Sequence, residues 1–202
     1  MTHHPDGPVI ERKKRDPKGT RERLVRAALE LFTSKGYHAS TTPRIAARAG
    51  IAEGTIYRHF ESKEHLFNEI YRAALRTFAK ALQEAETETT CSEQLRAVAR
   101  SWHDIVVATP ALATLVFGED ADSHLDARSR ERYSEVRARL EQIVALGKAA
   151  GDVRAGSVDV LTDVWLALVV LLLKRSTAQD TRFHAAAVEQ VIDSAWLAIR
   201  AQ

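Results

Sequence analysis

The stretch TTPRIAARAGIAEGTIYRHFESKEHLF, residues 41–67, is the part of this chain that says most about its fold. It contains two segments of only two or three helical turns, separated by Gly50 and Gly54. The second segment places four large side chains, YRHF, at the consecutive positions 57–60. Because a short surface helix has only one buried face, these four side chains cannot all point into a core.

The spacing of the two segments predicts a helix-turn-helix. Thr42 followed by Pro43 indicates a helix start, with the hydroxyl as cap and proline at the first helical position, where its missing N–H costs nothing. Gly50 ends this helix, and a second helix runs from residues 53–55 to Phe60. The connection AGIAEG is too short for antiparallel packing and favours the crossed arrangement in which the second helix enters the major groove of DNA.

The crowded second helix then divides into two faces. Ile56 and Phe60 lie at i and i+4 and are expected in a core. Tyr57, Arg58 and His59 are expected to face outward, where each can donate hydrogen bonds to phosphates or bases. The alternative is that the tyrosine and the histidine pack on the next helix. The core partners expected for the buried face are Leu31, Phe32, Ile45 and Ala46.

The segment from Arg21 to Tyr71 resembles the DNA-binding domain of the TetR family of transcriptional regulators. The resemblance is continuous from about Lys18 to Phe78, with the motifs LF..KGY, TT, IA..AG, GT(I/L)Y.HF and SKE.L at ungapped spacing. It implies that residues 53–60 form the recognition helix. The candidate DNA-binding residues are Thr41, Thr42, Arg44, Glu53, Gly54, Thr55, Tyr57, Arg58, His59 and Lys63.

The resemblance also implies roles for these residues. It gives contacts to the DNA backbone or bases to Thr55, Tyr57, His59 and Lys63, and phosphate contacts to Thr41 and Thr42. Two positions depart from the family pattern. Pro43 replaces a polar or basic residue, so a base contact is not expected there. Ala52 replaces a frequent Ser or Thr, so one hydroxyl cap is lost.

Composition favours an all-α protein. Ala and aliphatic residues dominate the 202 residues, there are only nine Gly and five Pro, and strand formers never alternate over a sustained run. Charge is uneven: residues 1–65 carry 13 Lys/Arg and 8 Asp/Glu, whereas residues 66–202 carry 16 and 19. A basic first third beside an acidic remainder indicates a nucleic-acid-facing module on a separate body, unless the excess arginines are merely solvated.

Three regions are expected from these patterns. Residues 1–18, with the basic run at 12–15, are expected to form a disordered arm. The resemblance implies that residues 19–65 form the helix-turn-helix domain and that residues 66–202 form a helical ligand-binding and dimerisation domain. Residues 118–129 are expected to be a polar loop. The hydrophobic periodicity predicts no strand and about nine helices. The predicted helices span residues 20–35, 42–50, 53–60, 62–86, 92–109 and 111–117, then a helix that begins between residues 125 and 130 and ends at 150, and finally 157–175 and 181–200.

The last two predicted helices, 157–175 and 181–200, are the expected homodimer interface. The first contains the run VWLALVVLLL at 164–173 and is apolar on nearly every side, with Asp163 as its one internal charge. A helix that is apolar all round needs burial on two sides. The resemblance implies that these helices pair with those of a second subunit in a four-helix bundle, the alternative being burial within one chain.

The middle helices carry the candidate ligand pocket, formed by Trp102, His103, Phe117, Tyr133 and Trp165. The polar tips of the tryptophans and the tyrosine could orient a ligand in an apolar cleft, although aromatic residues at helical spacing are more often ordinary core. No catalytic residue, metal site or cofactor is predicted. The pairs His103–Asp104 and His124/Asp126 lack a third ligand or a nucleophile, and Cys91 has no nearby partner histidine.

Together with the resemblance, these features predict a cytoplasmic, homodimeric repressor that a small apolar ligand releases from a palindromic DNA operator. The single cysteine fits a reducing compartment, no signal peptide is visible, and the longest apolar run is shorter than the roughly 18–20 residues of a membrane span. An alternative is a DNA-binding regulator whose body docks a partner protein and binds no small molecule. A small helical enzyme carrying the same module is a remote third possibility.

Overall fold

The computed structural model describes residues 17–118, 121–177 and 185–202. These residues form eight α-helices and two 3₁₀-helices, without a β-strand, so the all-α prediction is confirmed. The 3₁₀-helices span Glu53–Arg58, named the recognition segment below, and Ala121–His124, which lies inside the predicted polar loop. The α-helices are α1 (Pro17–Lys35), α2 (Thr42–Ala49), α3 (Lys63–Ala85), α4 (Cys91–Ala108), α5 (Ala111–Phe117), α6 (Ala127–Ala150), α7 (Val158–Thr177) and α8 (Ala185–Leu197).

Several helix ends differ from the sequence prediction, most of them by one or two residues. Helix α1 begins at Pro17, so Pro17 and Lys18, expected in the arm, are helical; the rest of the arm, residues 1–16, lies outside the described residues. The recognition segment is a 3₁₀-helix that ends at Arg58, rather than an α-helix reaching residue 60. The last helix ends at Leu197 because the chain then pairs with the α6–α7 turn, through an isolated bridge between Val153 and Arg200.

The start of α2 is also shifted by one residue. Thr41 occupies the cap position with extended backbone, and neither its hydroxyl nor that of Thr42 caps the helix. The end is as predicted: Gly50 has φ 65° and ψ 42°, and its N–H donates to the carbonyls of Ala46 and Ala47. This left-handed conformation is one that glycine adopts at little cost.

Helix α3 connects the DNA-binding module to the body. It begins where the side chain of Ser62 accepts from the N–H of His65, and it continues unbroken through the predicted domain boundary at 65–66. It packs on α1 at one end and on α4 and α6 in the body. Because one continuous helix belongs to both parts, any tilt of α3 in the body moves the module.

A buried polar network fixes α3 to the start of α6. The side chain of Asn68 donates to the carbonyl of His124 and accepts from the N–H of Asp126, both at 2.9 Å. The Arg72 guanidinium, 5% exposed, donates to Asp126 at 2.9 Å and to the buried hydroxyl of Ser129 at 2.9 Å. Buried polar groups are tolerated when they are hydrogen-bonded in this way.

Candidate nucleic-acid interface

Two short elements form the polar end of the molecule: α2 and the recognition segment. Ile45, Ile56 and Phe60 hold them in place, with side chains no more than 2% exposed. Full burial of side chains of this size contributes about 1.5–3 kcal/mol each. The predicted inner face is therefore confirmed. Phe32 and Ala46 belong to the same core, and Leu31, which is partly buried, packs against it.

The recognition segment is a 3₁₀-helix because its hydrogen bonds span three residues. The N–H of Thr55 donates to the carbonyl of Ala52, and the N–H of His59 donates to the carbonyl of Ile56, both at 2.9 Å. Ala52 occupies the cap position and supplies no side-chain acceptor, as expected from its departure from the family pattern. Tight i→i+3 turns of this kind are typical of short helical pieces without a strong cap.

Three side chains form a hydroxyl–carboxylate cluster at the outer surface. The hydroxyl oxygens of Thr42 and Tyr57 are 3.3 Å apart, and Thr42 also donates to a carboxylate oxygen of Glu53 at 3.3 Å. Tyr57 is nevertheless 53% exposed, so it does not pack on the next helix. The cluster joins α2 to the recognition segment while leaving the tyrosine ring and hydroxyl accessible.

The remaining residues of this segment are distributed around the same surface. Arg58, Gly54 and Thr41 are exposed, whereas Thr55 and His59 are half-buried. A Cβ added at Gly54 would meet no atom within 4 Å. The fold therefore does not require glycine there, although glycine costs about 1 kcal/mol relative to alanine inside a helix.

Two further candidate residues, Arg44 and Lys63, are held by backbone carbonyls. Arg44 donates to the carbonyl of Ala39 at 3.0 Å. Lys63 donates to the carbonyl of Tyr37 at 3.0 Å, and its ammonium lies 3.9 Å from the centre of the Tyr37 ring. Burial lowers the pKa of Lys63, although Glu64 opposes this shift, and burial also raises the pKa of Tyr37 to about 12.

Tyr37 is a positioning residue that the sequence patterns did not single out. Its ring lies under the Lys63 ammonium and stacks on His124 with centroids 3.8 Å apart. The tyrosine of the KGY motif was the available signal, since it follows Gly36, which ends α1 with φ 81°. Tyr37 therefore links the module to the start of α6.

The candidate ligand pocket contains very little free volume. Trp102, Phe117 and Tyr133 line an apolar cavity of about 20 Å³ between the body helices. Trp165 lies behind it, with its ring centroid 6.4 Å from that of Trp102, while His103 is directed towards Asp104, 3.6 Å away. A volume of this size holds about one water molecule, far below the roughly 300–1,000 Å³ of pockets for drug-sized ligands.

Helix α5 lies between this cavity and the DNA-binding module. Val116 and Phe117 line the apolar cavity, whereas Thr114 and Leu115 line a second cavity of about 160 Å³ against α1. The walls of the second cavity from α1 and the following turn include Phe32 and Tyr37. Side chains of one seven-residue helix thus face both the candidate pocket and the module.

The fold and this polar face define a helix-turn-helix DNA-binding protein. The model of the bacterial regulatory proteins of the tetR family matches residues 24–70. The transcriptional repressor KstR2 of Rhodococcus jostii is 30% identical over 151 residues, which cover 74% of this chain and 72% of that protein. The fatty acid metabolism regulator protein of Bacillus subtilis is 27% identical over 139 residues, covering 66% and 70%.

A solved structure shows the same fold. The transcriptional regulator FadR from Bacillus subtilis, crystallised in complex with stearoyl-CoA, superposes with a TM-score of 0.71 at 22% identity, over 88% of this chain and 98% of that one. The chain therefore belongs to the tetR family of bacterial regulatory proteins. It is a DNA-binding transcriptional regulator and not an enzyme.

Three further observations refer to the residues that the structure describes. In residues 17–118, 121–177 and 185–202, no three His, Cys, Asp or Glu side chains are grouped to hold a metal ion. Cys91, the chain's one cysteine, is buried at the start of α4, and burial together with Asp152 raises the pKa of its thiol to about 11. Among the same residues, no helix has both the length and the hydropathy that a membrane crossing requires.

Proposed function

We propose that the protein is a homodimeric repressor that binds a palindromic operator and is released by a small apolar effector. DNA binding is supported mainly by the surface cluster of Tyr57, Thr42 and Glu53. This cluster lies on two elements whose opposite faces are buried. Tyr57 and Arg58 would contact phosphates or base edges, and Gly54 leaves space for the DNA backbone. The other candidate contacts are Thr41, Arg44, Thr55, His59 and Lys63.

The dimer interface is proposed on an apolar stripe of α7 and α8. On α7, Val160, Val164, Ala167 and Leu171 follow the 4–3–4 spacing of one helix face, and Val160 and Leu171 are 54% and 47% exposed. Leu197 on α8 is 52% exposed. Exposed apolar side chains at coiled-coil spacing are typical of helices that pack on a partner. The predicted helix 181–200 contributes its described part, Ala185–Leu197.

Effector binding is proposed in the apolar cavity lined by Trp102, Phe117 and Tyr133. Because the cavity now holds about one water, an effector must bind a more open form of the body. Opening would displace α5, which packs against α1, and would thereby change the separation of the two DNA-binding modules. The effector then weakens operator binding by its preference for the open form.

The relatives support an apolar effector. A relative from Bacillus subtilis is named as a regulator of fatty acid metabolism, and the solved structure of FadR from the same species contains stearoyl-CoA. Long acyl chains match the aromatic and aliphatic lining of the cavity. The proposal therefore favours a small molecule over a partner protein as the signal that the body receives.

The test has two stages. Selection of bound sequences from a random DNA library, using the full chain, should return an inverted repeat whose half-sites are one helical turn apart or a multiple of it. A mobility-shift titration on that operator should then show release by long-chain fatty acids or their acyl-CoA esters. Selection of a single unrepeated half-site would contradict the dimer, and failure of every apolar compound to release DNA would favour a protein partner.

A further inference from the structure

A cleft whose lining includes four arginines, named the arginine cleft below, lies on the body between α3 and α6. It has a volume of about 180 Å³. Arg72 and Arg76 are at i and i+4 on α3, and Arg128 and Arg132 are at i and i+4 on α6. Like charges at this spacing destabilise a helix, so two such pairs facing one cleft oppose the stability of the fold.

Among the described residues, only part of this charge is neutralised. Arg72 pairs with Glu69 and Asp126 at 2.7 and 2.9 Å, and Arg132 pairs with Glu135 at 2.7 Å. Arg76 and Arg128 are exposed, and neither makes an ion pair or a side-chain hydrogen bond with another described residue. The cleft therefore presents two unneutralised guanidinium groups, and the Arg132–Glu135 pair lies beside them.

The arginine cleft adjoins the apolar cavity. Leu75 of α3 and Val136 of α6 line both spaces, so these two side chains form the wall between them. The cavity on the other side is lined by apolar groups such as Phe78 and Leu140. One end of an extended ligand placed across this wall would meet guanidinium groups, and the other end would meet an apolar core.

We infer that the arginine cleft binds the phosphate-bearing head of an amphipathic effector whose apolar tail enters the cavity. This rests on the proposed function, in which the cavity takes an apolar effector. Guanidinium groups bind phosphate through paired, charge-assisted hydrogen bonds. The two unpaired guanidinium groups carry two positive charges, which a phosphate group neutralises more fully than the single charge of a carboxylate, so the ligand class is an acyl chain on a phosphorylated carrier rather than a free fatty acid.

The test compares three probes on the full chain: stearoyl-CoA, stearate and CoA. Stearoyl-CoA should bind most tightly. The double variant Arg76→Gln/Arg128→Gln should weaken stearoyl-CoA binding by about tenfold for each arginine removed, while stearate binding is unchanged. Arg130→Gln, an exposed arginine of α6 outside the cleft, is the matched control and should leave all three affinities unchanged. Thermal unfolding of each variant verifies folding.

The outcomes separate the inference from the proposed function. Equal affinity of the wild type for stearate and stearoyl-CoA, or unchanged stearoyl-CoA binding by the folded double variant, would overturn the inference and leave the apolar effector in place. If the double variant lost operator affinity as well as stearoyl-CoA affinity, the cleft would be a DNA contact, and this result would also overturn the inference. Binding of none of the probes by the wild type would refute both.

Discussion

The hydroxyl oxygen of Tyr57 lies 3.3 Å from that of Thr42, so the recognition segment and α2 are joined across their outer surface as well as through the core. Because Thr42 also bonds to Glu53, the tyrosine hydroxyl is held where α2 begins. The first residues of α2 and the recognition segment therefore present one continuous polar surface.

Replacing Tyr57 should abolish operator binding without unfolding the protein. Tyr57→Ala removes an exposed ring, so the free energy of unfolding should change by no more than about 0.5 kcal/mol. Tyr57→Phe removes only the hydroxyl and should weaken operator binding by about tenfold, the value of one hydrogen bond to a phosphate. Mobility-shift assays measure the operator affinity of both variants, and Val107→Ala, at an exposed position of α4, is the control. Undiminished binding by Tyr57→Ala would refute the assignment of this segment.

Replacing two glycines by alanine should have opposite effects on the stability of the fold. Gly54→Ala adds a Cβ in open space and should stabilise the fold by up to about 1 kcal/mol, while weakening operator binding by obstructing the DNA backbone. Gly147→Ala places a Cβ 2.5 Å from the sulfur of Cys91 and should destabilise the fold by about 1–3 kcal/mol. Urea unfolding and mobility-shift assays test both. Full operator affinity in Gly54→Ala would show that the glycine has no role in binding.

Arg72 should govern the acid stability of the body. The pKa of Glu69 is lowered mainly because its carboxylate accepts a hydrogen bond from Arg72. Partial burial alone would raise the pKa of Asp126, but hydrogen bonds from Ser129 and Arg72 lower it. Each carboxyl group therefore stabilises the fold above about pH 4, near its unfolded pKa, and this stabilisation is lost as the pH falls through the lower folded pKa.

The variant Arg72→Met should consequently lose about 1–3 kcal/mol at pH 7, and this deficit should shrink as the pH falls below 4. Urea unfolding between pH 7 and pH 3 measures the difference. Lys80→Met, which removes an exposed pair with Glu84, is the control and should change stability by less than about 1 kcal/mol at every pH. A deficit independent of pH would mean that Arg72 stabilises by packing alone.

The proposed dimer should depend on the apolar stripe of α7. Leu171→Glu places a charge in the centre of an apolar interface and should convert the dimer to a monomer, because burying an unpaired carboxylate is costly. Sedimentation or light scattering reports the mass, and operator affinity should fall with dimer content. Val107→Glu replaces an apolar side chain of α4 that is also about half exposed, and this variant should stay dimeric. A dimeric Leu171→Glu protein would place the interface elsewhere.

The basic arm, residues 1–16 ahead of α1, should bind DNA phosphates. Removing it deletes the basic run at residues 12–15, so operator affinity should depend less steeply on salt concentration, by about one unit of slope for each phosphate that the arm neutralises. Titration of operator binding at several salt concentrations measures the slope. The control is the full chain under the same conditions, and an identical slope would show that the arm does not bind the operator.

The DNA-binding module was predicted from the sequence more completely than the body, because the sequence patterns that specify the module span only a few residues. Spacing placed Ile56 and Phe60 inside and Gly50 at the end of α2, and the resemblance to the family favoured an outward Tyr57. The sequence could not show that the recognition segment is a 3₁₀-helix or that Thr41 is the cap, since such differences of one residue depend on how the two elements pack. Tyr37 was missed because its role depends on His124, which lies far away in the chain.

Helical periodicity and glycine positions act over a few residues, so the all-α class, the helix-turn-helix and the polar face of the recognition segment follow from the order of the amino acids. The residues that meet within the body follow only from the packing of whole helices. Arg76 and Arg128 share a cleft because α3 packs on α6, and Trp102 and Tyr133 share a cavity because α4 also packs on α6. Contacts between helices depend on long-range packing, which no local spacing encodes.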